Sequence, residues 1–101
     1  MRSQELRKQA PELDPLRLGT GWKREDLAKP QILIESSFGD SHPGSVHLLE
    51  VAEKAKEGAA REGGFGARYF CTDICDGEAQ GHDGMNYSLP SRDMMANMIE
   101  I

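Results

Sequence analysis

Residues 71–92 read CTDICDGEAQGHDGMNYSLPSR, and this stretch decides the fold. It opens as the end of a strand, Phe65 to Ile74, rich in aromatic and β-branched residues. At Cys75-Asp76-Gly77 the pattern breaks into a loop carrying Gly77, Gly81 and Gly84. Regular structure resumes near Ser88-Leu-Pro-Ser-Arg92. A carboxylate at a strand end can reach a ligand when glycine beside it lets the backbone fold closely around that ligand. The spacing marks a candidate site.

Working upstream, Pro30 to Ser37 (PQILIESS) predicts a first, short strand, with Pro30 at its opening where a missing donor is tolerated. Phe38 to Gly44 is a loop. A helix is predicted over Pro43 to Glu62, with Leu48, Ala52, Ala55 and Ala59 on one face. Either Ser41 caps it, or Pro43 takes the first helical position behind His42. Gly63-Gly64 stops it. Downstream, Ser91 to Ile101 predicts a second helix behind a Pro90-Ser91 cap, and its stripe of Met94, Met95, Met98 and Ile99 reads as core. The order is strand, helix, strand, helix, which defines an α/β class. A right-handed crossover makes the strands parallel. Their carboxyl ends then share one edge, bringing residues 36–44 alongside Asp73 to Gly77, where ligands bind in open α/β sheets.

The remainder sets bounds. The 101 residues allow one domain. A net charge of −5 gives no electrostatic footprint for nucleic acid or an anionic membrane surface. No apolar run approaches the ~20 residues that span a bilayer, and no secretory signal opens the chain, so a cytoplasmic address is expected. Residues 1–17 read as an N-terminal arm, with Leu6, Ala10 and Leu13 among charges and breaks at Pro11 and Pro15: a short frayed helix, a segment packing on another subunit, or a mobile terminus. Trp22 reads as a packing anchor. The chain ends at Met98-Ile-Glu-Ile101, within an apolar-periodic helix and without a stop signal, an end that suits a chain that continues.

The chemistry-bearing residues admit two readings each. Asp73 and Asp76 suit an Asx-type turn that starts the loop, or carboxylate ligands for a hard cation. The pattern matches no EF-hand, phosphate-binding or dinucleotide motif. Cys71 and Cys75 would lie about 13 Å apart on an extended strand, too far for one disulfide, and Cys71 reads as a small buried apolar residue. His47 falls within the helix. His42 and His82 each sit in a glycine-bearing loop, where a structural role competes with a shared ligand.

Two motifs then carry a resemblance: PQILIESSFGDSHPGSVHLLE and CTDICDGEAQGHDGMNYSLPSRDMMANMIE. Together they resemble the N-terminal part of the dihydroxy-acid dehydratase and 6-phosphogluconate dehydratase family, over residues 18–101. The resemblance implies a much longer protein, with an α/β N-terminal domain, here incomplete, and a C-terminal β-barrel-like domain. It implies a hydro-lyase of amino-acid biosynthesis or sugar-acid metabolism, dehydrating 2,3-dihydroxy acids or sugar acids to 2-keto acids with an iron–sulfur cluster and magnesium. By that likeness Asp76 is a magnesium ligand, and loops 38–45 and 76–88, with Ser37, His42, Ser45 and His82, line the substrate pocket. The expected partner is a small hydroxy acid, with neither nucleic acid nor membrane, in a homo-oligomer when full length.

Departures accompany the likeness. The familiar Pro-Cys pair, whose thiolate binds the cluster, is Pro43-Gly44 here, and glycine has no ligand atom. Cys75 stands where the family often has serine. The remaining cluster cysteines, a lysine beside the metal and the catalytic base are expected beyond Ile101. No catalytic residue therefore falls within this chain, which alone is expected to be inactive. The competing expectation is a small α/β module that binds a metal or a protein and catalyses nothing.

Overall fold

The computed structural model describes residues 1–72 and 74–101. Two helices, α1 (Arg2–Gln9) and α2 (Leu13–Gly19), precede a 3₁₀ turn at Asp26–Ala28. Then come β1 (Gln31–Ser36), α3 (Leu48–Arg61), β2 (Phe65–Phe70), the one-turn α4 (Asp76–Ala79) and α5 (Met85–Glu100). The strands pair as a two-stranded sheet. The Phe65 N–H donates to the Pro30 carbonyl at 2.8 Å, and the Cys71 N–H to the Ser36 carbonyl at 3.0 Å. The sequence offset is the same at both ends, so the strands run parallel. The expected strand–helix–strand–helix frame is present.

The chain forms two compact units, Met1–Ile34 with Ala55–Ala67 and Glu35–Lys54 with Arg68–Ile101. In the first, α3 ends in a Schellman arrangement. Gly63, at φ 78°, donates its N–H to the Ala60 carbonyl at 3.1 Å, and Gly64 donates to Ala59 at 2.8 Å. This turns the chain straight into β2. There Gly66 is buried, and a Cβ on it would lie 2.6 Å from Ile34 Cδ1 and 3.2 Å from Lys56 Cα. A larger residue would have to push Ile34 and α3 aside.

The N-terminal residues of this unit are tied by side chains. Arg7 grips Asp14 with two bonds, Nε to Oδ1 at 2.6 Å and Nη2 to Oδ2 at 2.7 Å. Its Nη1 donates to the Leu27 carbonyl at 2.9 Å, which also accepts from Gln4. Trp22 stacks at a tilt on Phe65, ring centroids 4.2 Å apart, with the Arg17 guanidinium 5.1 Å from its ring centre. The anchor reading of Trp22 holds.

Element boundaries differ from expectation at four places, each for a local reason. β2 stops at Phe70, not Ile74, because β1 offers its last carbonyl, that of Ser36, to Cys71. Asp73 lies outside the described residues. The long helix begins at Leu48, not Pro43. Turns occupy residues 43–47, and the Ser45 hydroxyl donates to the Gly39 and His42 carbonyls, an alternative to helix that serine readily takes. The glycine loop contains the turn α4, closed by the Ala79 N–H on the Cys75 carbonyl at 3.0 Å. The last helix starts six residues before Ser91, at Met85, and Pro90 lies within it. A proline there removes one donor, that to Asn86, and the helix runs on, with the Ser91 hydroxyl bonded to the Ser88 carbonyl at 2.6 Å.

The methionine stripe is also corrected. Met94 and Met98 are 66% and 63% exposed, so among the described residues this face of α5 is not core. Ile32, Leu33, Tyr69 and Phe70 on the strands are exposed as well. Among the described residues the buried apolar side chains are Leu27, Ala52 and Ala79.

Candidate functional site

Asp76 and the two histidine loops fall in the second unit. Asp76 is the first residue of α4, following an extended Cys75 (φ −76°, ψ 116°). Its carboxylate faces α5. Ser88 donates its hydroxyl to Oδ1, and Arg92 donates an Nη2 hydrogen to Oδ2. Ser88 and Arg92 are one helical turn apart and so share a face of α5. The Ser88 hydroxyl, then the Arg92 guanidinium, hold the Asp76 carboxyl below the usual carboxylate range against a smaller opposing effect of burial. Asp76 is therefore a fixed, ionised oxygen donor.

The histidines form two matching turns. The Gly44 N–H donates to His42 Nδ1 at 3.1 Å, and the Gly84 N–H donates to His82 Nδ1 at 3.0 Å. An accepting Nδ1 leaves the ring proton on Nε2. In His82 that Nε2 lies 2.6 Å from the Glu78 carbonyl, so the imidazole fastens the end of α4. Of the other expected pocket residues, Ser45 is wholly buried and shapes the loop through Gly39 and His42. Ser37 is half-buried at the end of β1. Phe38, just past β1, and Phe70, the last residue of β2, meet edge to face at 5.8 Å. Cys71 Sγ lies 3.9 Å from the Ser36 carbonyl, and both cysteines are half-buried thiols.

The structure thus gathers Asp76, Ser88 and Arg92. Ser88 and Arg92 stand within the motif of the resemblance, but no contact with Asp76 is legible there. Their spacing of four is the signal, and it becomes legible only once the helix is known to begin before Pro90.

The donor set can be tested against the two groups that the family resemblance implies. Magnesium keeps several waters and is held by one or two carboxylates, so the ionised, half-exposed Asp76 suits it. Among the described residues no group of three or more His, Cys, Asp or Glu could hold a metal ion. Asp76 would be one carboxylate of such a shell. A cluster ligand at position 44 does not fit. Glycine supplies no thiolate, and a Cβ there would sit 2.9 Å from His42 Nδ1.

Comparison with known proteins defines the class as the N-terminal part of a dehydratase. Residues 29–101 match the family described as dihydroxy-acid/6-phosphogluconate dehydratase N-terminal, and the chain belongs to that family. It is similar to the dihydroxy-acid dehydratase of Methanococcus vannielii, 45% identical over 80 residues, covering 79% of this chain and 14% of that protein. That of Dehalococcoides mccartyi strain CBDB1 is 40% identical over 104 aligned residues, 100% of this chain and 19% of the relative. That of Pyrococcus abyssi is 46% identical over 80 residues, 79% and 14%. The chain spans less than a fifth of the length of these relatives. Among the described residues no helix is long and apolar enough to cross a membrane.

Proposed function

We propose that the protein carrying this chain is a hydro-lyase that removes water from a 2,3-dihydroxy acid to give a 2-keto acid. In that reaction C2 loses a proton, C3 loses hydroxide, and the enol so formed becomes the keto acid. The observation that carries the reading is the Asp76 carboxylate, held ionised by Ser88 and Arg92 inside the stretch that matches the family. A divalent cation at Asp76 supplies, when bound, stabilisation for the negative charge that develops on the substrate oxygens as the C2 proton leaves.

The chain's own residues do the positioning. Ser88 fixes one carboxylate oxygen, and Arg92 holds the other. The loops at 38–45 and 76–88 bound the substrate, with Ser37, His42 and His82 offered to it and Ser45 holding the first loop's shape. No step is assigned to an iron–sulfur cluster through position 44. The names of the relatives favour a dihydroxy acid over a sugar acid as substrate.

The test is an assay of the full protein, purified without oxygen and supplied with magnesium. It would be offered 2,3-dihydroxy-3-methylbutanoate and, separately, 6-phosphogluconate, with the keto acid trapped as a hydrazone. Keto acid from the first substrate in clear preference supports the reading. Preference for the second moves the assignment to sugar acids, and no keto acid from either contradicts it.

A further inference from the structure

We propose that Arg92 is a stand-in cation for Asp76, neutralising the carboxylate in the metal-free protein and yielding Oδ2 when a divalent cation arrives. The inference rests on the reading of Asp76 as a metal ligand. It adds an exchange role for Arg92, one turn beyond Ser88.

The two carboxylate oxygens are held unequally. Oδ1 accepts from Ser88, whose short side chain is fully buried and has little freedom to leave. Oδ2 accepts from Arg92, whose side chain is 51% exposed at the end of a long flexible stem. An exposed ion pair of this kind contributes little and exchanges readily. A divalent cation at about 2.1 Å from Oδ2 would place its charge against the guanidinium, and the like charges repel. One of the two must go. Ser88 stays in either state, so Asp76 keeps its direction while its partner changes. Arginine suits the task because its planar fork of donors meets the carboxylate from a long stem, so the carboxylate is paired until the cation replaces it.

The experiment measures Mn2+ binding to the full protein without substrate, from the loss of the free-ion electron paramagnetic resonance signal. Arg92→Gln should bind Mn2+ about two- to fivefold tighter than wild type, the range that competition at a half-exposed site allows. Asp76→Asn should lose the site. If Asp76→Asn abolishes binding while Arg92→Gln is unchanged or weaker, the stand-in role is overturned and Asp76 remains a ligand. If Asp76→Asn binds as wild type does, the ligand assignment beneath the proposal fails. A second readout needs no variant: phenylglyoxal should modify Arg92 several-fold faster once Mn2+ is added, mapped by mass spectrometry. An equal or slower rate contradicts the exchange.

Discussion

The Gly44 N–H donates to His42 Nδ1 at 3.1 Å, and a Cβ on Gly44 would press to 2.9 Å from that same nitrogen. Gly84 repeats the relationship with His82, where the added carbon would lie 2.6 Å from Cε1. The histidine and the glycine two residues on therefore form one device. The glycine gives both the N–H that orients the ring and the space that the ring fills.

The first prediction follows from that space. Gly44→Ala should displace the His42 imidazole, seen as a shift of its ring proton resonances, while His82 is untouched. The stability change should stay below about 1 kcal/mol, because a flexible ring can move aside. Unmoved His42 resonances would contradict the geometry.

A second prediction concerns the strand–helix contact in the first unit. At Gly66 a Cβ would meet Lys56 Cα at 3.2 Å as well as Ile34 Cδ1 at 2.6 Å, and backbone yields less easily than a ring. Gly66→Ala should destabilise by about 1–3 kcal/mol, as overpacking does. Urea denaturation checks it; a midpoint equal to wild type would show that α3 does not lie against β2 as described.

A third prediction is a pH dependence. The two-point hydrogen bond from Arg7 holds the Asp14 carboxyl below the usual carboxylate range, more than burial raises it. A lowered folded-state pKa gives stability that is fully present above the unfolded value of about 3.9 and lost as pH falls through the lower folded value. Asp14→Asn should therefore lower the melting temperature by a constant amount from pH 7 to pH 5. The gap should close as the pH falls below about 4. A gap that is already closing at pH 6 would contradict the assignment.

Much of this architecture is legible in the residues. Ile32-Leu33-Ile34, the paired glycines at 63 and 64 and the Phe65-to-Phe70 run mark two strands and a crossover helix. Boundaries were not legible where a side chain competes for the backbone. Ser45 takes the Gly39 carbonyl and delays α3, and Pro90 imitates a helix start while lying inside α5. The candidate site was half legible. Asp76 stands out beside glycine, but Ser88 and Arg92 join it only through a helix register that Pro90 conceals. The exposure of Met94 and Met98 could not be read from periodicity, which marks an apolar face without saying what covers it.

The most direct test of the central claim is kcat/KM of the full protein and its Asp76→Asn variant, each with magnesium and the preferred dihydroxy acid. The account predicts a loss of about a hundredfold or more, the order expected when a group stabilising developing charge is removed. Activity within twofold of wild type, from a variant that folds, would contradict it.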